Sequence, residues 1–306
     1  MFPDGTWSIG ELAEQAGTTV KTVRFYSDRG LLPEAGRSSG GHRRYGPEAL
    51  DRLRTIRSLR SLDLPVSEVG RALEQEAALE DAIAARLREL GGQLAALRWR
   101  EAALQLLRDS PAEERADRLR LIGAITTPPS TAPMARFWRW LLPPRLPRTL
   151  LSAIIEEAVP QPPGDPSPAQ VLAFARLHAL TSAARPELCR PQTSVPDHGS
   201  RPAVVYEGLS EAYALAGAEL TARQAPRAGD ALDCFVTVHA DALEAADTPA
   251  FRRQLDGFLR RTAHPIMDRY WLLAAEAAGG QDAGRPTMGA AHDWLHAALR
   301  QQPAEG

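Results

Sequence analysis

No proline interrupts residues 76–108, and this stretch limits what the chain can fold into. Within it Leu87, Leu90, Leu94, Leu97 and Leu104 fall on an alternating three-and-four spacing, with Ile83 one step earlier and Glu101 in the seam position between the last two. That period predicts one long helix with a short coiled-coil seam. A helix of this length leaving a small domain exposes its stripe unless something covers it. The reading is therefore self-association along those five leucines; the alternative is a helix packed on its own core. Gly91 and Gly92 lie inside the stripe, each unfavourable by about 1 kcal/mol relative to alanine, which predicts a local break or a close helix crossing.

The rest of the chain must supply the domains that such a helix joins. Its 306 residues are enough for about two. A hydrophobic share of 44% and a charged share of 24% describe a globular protein and exclude a disordered one. There is no long apolar run and no basic-then-apolar start, so neither a membrane span nor a signal peptide is expected. Cys189 and Cys234 stand apart without C-x-x-C spacing, as in a reduced, cytoplasmic protein.

Ahead of the long helix, Ser8-Ile-Gly-Glu11 has the form of a capping box and predicts a short helix over about 9–16. Gly17 breaks it. Thr18 or Thr19 then caps a second helix running to about Arg29, closed by Gly30. Two short helices around a glycine turn are a helix-turn-helix candidate. Pro47 starts a further helix to about Leu62, and another begins at Val66 after Pro65. Charge singles out the same region. Residues 19–60 hold ten Lys/Arg against four acids, a local +6 on a chain whose net charge is −2. Such a block is the electrostatic footprint of a nucleic-acid-binding face, or simply a solvated surface.

Residues 40–46 read GGHRRYG. The spacing is not that of a P-loop, and no strand precedes it. Together, WSIGELAEQAGTTVKTVRFYSDRGLLPEAGRSSGGHRRYG and the arginine-rich helix after it resemble the DNA-binding domain of the MerR family of bacterial transcription regulators, over about residues 7–75. The resemblance implies a winged helix-turn-helix dimer bound to a pseudo-palindrome in a promoter whose two polymerase-contacting elements are too far apart. An activating signal would distort that double-stranded promoter DNA and realign the elements for RNA polymerase. The long helix sits where that family places its dimerisation helix.

Physical reasoning assigns the contacts. The N-terminal side chains of the second helix, Thr19, Lys21 and Thr22, would face base edges in the major groove, with Arg24 one turn further. Tyr26 offers a hydroxyl for a phosphate, while Val23 and Phe25 are expected in the core. In the wing, Arg43 and Arg44 supply permanent charge for phosphates. One of them could instead pair with Asp28 or Glu48, and Arg43 is favoured as the phosphate contact. His42 and Tyr45 either add hydrogen bonds to DNA or pack the wing onto the domain.

The second half reads as helical, with spans near 168–184, 204–223, 229–246, 249–262, 264–278 and 288–300. Residues 128–168 carry eleven of the 25 prolines and read as a linker with short helices. The expected whole is an all-α chain with a small β wing: a winged helix-turn-helix domain over 1–75, a coiled-coil helix over 76–110 and a helical effector domain over 111–306. No cysteine occurs within 76–125 for metal sensing by the family's route, and His292 with His296 lack a third ligand, so neither a metal nor another cofactor is expected. Residues 164–180 faintly resemble the helical thiopeptide-binding domain of some relatives. Aromatic residues on helices, Trp138, Trp140, Tyr206, Tyr213, Tyr270 and Trp271, are candidates to line a small-molecule site or else belong to the core. Trp138 and Trp140, two apart, cannot share a helix face. No nucleophile elbow, H-E-x-x-H, Walker or G-x-G-x-x-G signature appears, which argues against an enzyme. The reading is a ligand-responsive, homodimeric DNA-binding regulator; the alternative is a DNA-binding adaptor whose helical half binds a protein.

Overall fold

A computed structural model describes residues 5–184, 202–263, 265–279 and 286–301. Cys189 and the loop read around it lie outside the described residues. The chain divides into two compact units, Met1–Leu94 and Ala95–Gly306. Among the described residues, the regular elements apart from a two-stranded antiparallel sheet are helices.

In the first unit, α1 (Ile9–Gln15) starts at the expected capping box: the Ser8 hydroxyl accepts from Glu11 N, and the Glu11 carboxylate accepts from Ser8 N at 2.8 Å. Gly17, at φ +59°, takes the left-handed turn that a side chain would strain, and Thr19 caps α2 (Val20–Ser27). The wing follows as β1 (Gly36–Arg37) and β2 (Arg43–Arg44), with Gly36 opposite Arg44 and Arg37 opposite Arg43. Trp7 and Tyr45 exchange two backbone hydrogen bonds, 2.8 and 3.0 Å, so the wing's end is stitched to the start of the domain. Pro47 opens α3 (Pro47–Ser61), and α4 (Val66–Ala72) comes after Pro65. Leu12, Val23, Tyr45, Leu53, Ile56 and Leu64 form the centre of one core.

The long helix α5 (Glu76–Arg108) runs unbroken, and Gly91-Gly92 do not interrupt it. Within the single chain, nothing lies within 4 Å of where a Cβ would stand on either glycine. Leu87, Leu90, Leu94, Leu97 and Leu104 are 43–68% exposed along it.

The second unit has two cores. One gathers Trp99, Phe137, Trp138, Phe174, Leu177 and Tyr270 from α5, α7 (Ala132–Leu141), α9 (Pro168–Ala183) and α13 (Pro265–Ala278), with α8 (Arg148–Ala158) contributing Ile154 and Ala158. Residues 128–168 are thus part of a core and not a linker. Pro133, Pro147 and Pro168 stand at helix N-termini, where a missing N–H is no loss. The second core is built by α10 (Pro202–Thr221), α11 (Asp230–Ala242), α12 (Pro249–Thr262) and α14 (Met288–Arg300) around Leu232, Phe235, Val236, Trp294 and Leu295. Helix α6 (Ala112–Gly123), absent from the sequence reading, has no buried residue; Arg118 ties it to Ser110 Oγ at 2.7 Å. Two helix contacts are unusually close. A Cβ on Gly208 would lie 2.4 Å from Val238, and one on Gly289 would lie 2.1 Å from Trp271.

Candidate nucleic-acid interface and helical cleft

Helix α2 has a polar face and an apolar one. At its N-terminus the Thr19 hydroxyl accepts from Thr22 N at 3.2 Å and lies 2.9 Å from the Thr22 hydroxyl. Lys21 and Arg24 are exposed, and among the described residues neither is held in an ion pair. Val23, Tyr26 and Ser27 form the buried face. One expectation is corrected here. Tyr26 is only 7% exposed, and its ring fills the core as part of the buried face. Phe25 lies outside, under the Arg29 guanidinium at 3.6 Å from its ring centre. The helical period explains both: residues 23, 26 and 27 share a face, and residue 25 cannot join them.

Of the two wing arginines, Arg43, favoured as the phosphate contact, is the one that pairs with carboxylates. Arg43 donates to Asp28 Oδ1 at 2.5 Å, to Ser27 Oγ at 3.0 Å and pairs with Glu34 Oε1 at 2.8 Å. Hydrogen bonding to Asp28 raises its pKa above the ordinary arginine value. Arg43 therefore fastens the wing to the C-terminal end of α2, and its charge is met by two carboxylates. Of its two expected roles, Tyr45 takes the packing one and not the DNA contact: it is fully buried, with its hydroxyl 2.7 Å from Ser27 Oγ. Arg44 is half-buried on β2, and His42 is exposed at the wing turn, its backbone N–H donating to Ser38 Oγ at 3.2 Å.

The basic count also included α3, whose arginines mostly serve the fold. Arg52 donates to the Leu31 carbonyl at 2.9 Å, Arg57 to that of Ala16 and Arg60 to that of Leu64. These carbonyls lie where helices or turns end and backbone acceptors are left over. Arg54 pairs with Asp51 at 3.5 Å.

In the second unit the six candidate aromatics separate. Trp138 meets Tyr270 at 5.4 Å and Trp271 at 5.3 Å, and Phe137 stacks on Tyr270 at 5.5 Å. The buried Tyr270 hydroxyl donates to the Ala158 carbonyl at 2.9 Å, and burial pushes its pKa up. Tyr206 packs against this core, while Trp140 points outward, 40% exposed. Tyr213 belongs to the other core, its hydroxyl 3.3 Å from His292 Nδ1. Burial, then the neighbouring His296 and His239, pulls the His292 pKa down to about 4. His296 lies 3.3 Å from Asp256 Oδ1, and His239 donates to the Phe235 carbonyl at 2.8 Å. Among the described residues no group of three or more His, Cys, Asp or Glu is placed to hold a metal ion. Nor is any helix there long and apolar enough to cross a membrane. A cleft of about 290 Å³ opens between α7 and α8, lined by none of the six aromatics, a feature the sequence reading missed.

Two short helices around Gly17, an exposed cationic second helix and a two-stranded wing define the first unit as a winged helix-turn-helix module. The family described as MerR HTH family regulatory protein matches residues 7–76. Residues 7–76 are thus a MerR-family helix-turn-helix domain. Relatives agree over this part of the chain. Nodulation protein NolA of Bradyrhizobium elkanii is 40% identical over 89 residues, which are 29% of this chain and 41% of that protein. The HTH-type transcriptional activator TipA of Streptomyces coelicolor is 45% identical over 73 residues, 24% of this chain and 29% of its own. A mercuric resistance operon regulatory protein of Bacillus cereus is 37% identical over 65 residues, 21% and 49% of the two chains. The match spans less than half the length of each of these relatives.

Proposed function

We propose that the chain is a transcription regulator that binds double-stranded promoter DNA as a homodimer and acts there on RNA polymerase in response to a small-molecule effector. The observation that carries this reading is the N-terminal half of α2, where Lys21 and Arg24 stand exposed beside the paired hydroxyls of Thr19 and Thr22. That is the part of a recognition helix that meets base edges, and these residue types suit it. The relatives' names, a transcriptional activator and an operon regulatory protein among them, point the same way. The exposed leucines of α5 support the dimer, because a seam of that period finds its partner in a second copy. A two-fold dimer in turn calls for an operator with inverted half-sites. The helical unit Ala95–Gly306 is assigned the effector.

Selection of duplexes from a random pool by the full-length protein tests the reading. The expected product is an inverted repeat that also gives a footprint at physiological salt. Equal binding to selected and random duplexes sinks it.

A further inference from the structure

The α7–α8 cleft has a definite chemical layout. Its volume of about 290 Å³ stands near the lower edge of the ~300–1,000 Å³ usual for small-molecule sites. Helix α8 turns two adjacent rows toward it, each at a spacing of one helical turn. Leu151, Ile155 and, at the helix end, Val159 make an apolar row, and Ser152 and Glu156 make a polar one beside it. From α7 the cleft receives Arg139.

Arg139 and Glu156 carry opposite charges on different helices and line the same cleft. Among the described residues neither is held in an ion pair. Glu156 is also the first acid in the sequence after Asp117, and Arg136, Arg145 and Arg148 are exposed nearby in sequence, so the local field does not neutralise Arg139. A guanidinium takes a carboxylate through two parallel hydrogen bonds, and a carboxylate takes an ammonium. Beside Glu156 on α8, the leucine-isoleucine-valine row offers an apolar surface that would remove an apolar side chain from water.

We infer that this cleft binds a small zwitterion with an apolar side chain, an apolar α-amino acid or a close analogue: Arg139 holds its carboxylate, Glu156 its ammonium group. The inference deepens the regulator reading by naming the class of effector, and it rests on that reading only for the consequence at DNA. On its inner face α7 carries Phe137 and Trp138 into the stack with Tyr270 and Trp271. A ligand that bridges α7 and α8 therefore acts on one wall of that core.

Calorimetry on the full-length protein tests the site, with L-phenylalanine and L-leucine as zwitterions and phenylpropionate and phenethylamine as the analogues lacking one charge. The zwitterions are expected to bind, and each analogue to bind about tenfold more weakly or worse, in keeping with the loss of one charge-assisted contact. Arg139→Gln removes the advantage over phenethylamine, and Glu156→Gln removes the advantage over phenylpropionate. Both side chains are exposed, so thermal melts of the two variants should match the parent. Absence of saturable binding at zwitterion concentrations up to about 10 mM overturns the proposal, as does equal affinity for all three classes. So does binding that neither variant changes. Zwitterion binding without any operator selection upholds the cleft and removes the regulator reading; operator selection without zwitterion binding overturns the cleft alone.

Discussion

Ser27 and Tyr45 face each other across a buried contact of 2.7 Å between their hydroxyls, one on the recognition helix and one at the end of the wing. Arg43 donates to the same Ser27 oxygen at 3.0 Å. The two elements proposed to face DNA are thereby locked to each other. Tyr45→Phe should keep the ring packing and lose the hydrogen bond, destabilising the first unit by about 1 kcal/mol. Urea unfolding of the variant checks this; an unchanged midpoint would show that the contact carries no stability.

Salt dependence separates the cations. Lys21→Ala should weaken binding to the selected operator and lower the slope of log affinity against log salt by about 1 if Lys21 meets a phosphate, or alter base preference with little slope change if it meets a base. Arg43→Ala should instead lower the melting temperature and leave the slope nearly intact, because its charge is already met by Asp28 and Glu34. Fluorescence anisotropy across a salt series is the measurement. A slope change for Arg43→Ala as large as that for Lys21→Ala would return Arg43 to the DNA.

Glycine substitutions should divide into two groups. Gly289→Ala sets a methyl group against the Trp271 ring, and Gly208→Ala sets one against Val238, each an overpacking expected to destabilise by about 1–3 kcal/mol. Gly91→Ala and Gly92→Ala meet open space within the single chain and should each stabilise the helix by about 1 kcal/mol unless the proposed partner helix approaches there. Thermal melts of the four variants decide, and a stabilising Gly289→Ala would contradict the packing of Trp271.

Acid should loosen the second core. His292 stays neutral when folded down to about pH 4, against an unfolded value near 6.5, so below the latter the unfolded chain binds the extra proton. Stability contributed by this group is present above about pH 6.5 and is lost as pH falls toward 4, by at most about 3 kcal/mol. His239, with its pKa also lowered by burial, acts in the same direction. Unfolding free energies of the parent and His292→Gln at pH 7.5 and 5 should converge as pH falls. A constant difference would rule out the linkage.

Leu90→Glu with Leu94→Glu should turn the proposed dimer into a monomer in sedimentation equilibrium, because the seam then carries charge at two successive turns. Far-ultraviolet dichroism should change little, since both side chains are already 43–50% exposed within the single chain. A dimer that survives both substitutions would place self-association elsewhere.

Much of the fold was legible because its punctuation is local. The Ser8–Glu11 box, Gly17 and Pro47 each act within a turn of the helix they start or stop, so their meaning does not depend on the rest of the chain. The proline-rich segment 128–168 was misread because proline both breaks helices and begins them, and only tertiary packing shows that Phe137 and Trp138 are core. The candidate interface was half legible. A count of cations locates a basic region, but which arginine meets a carbonyl and which meets solvent depends on where helix ends converge. Arg57 reaches Ala16 across 41 residues of sequence, and Arg52 reaches Leu31 across 21, distances over which no spacing rule speaks. The pairing of Arg43 has the same cause, since Asp28 and Glu34 become its neighbours only when the wing folds back.

The carbonyl-bound arginines of α3 give the domain two separate responses to ionic strength. Contacts to phosphate weaken steeply as salt displaces them, because binding releases condensed counterions that added salt holds in place. Arg52, Arg57 and Arg60 are tied in part-buried positions to neutral backbone acceptors, where screening acts weakly. Under the proposed DNA binding, added salt would shorten the stay on a site while the fold of the helix-turn-helix domain stays intact, so that a dissociated molecule could rebind without refolding.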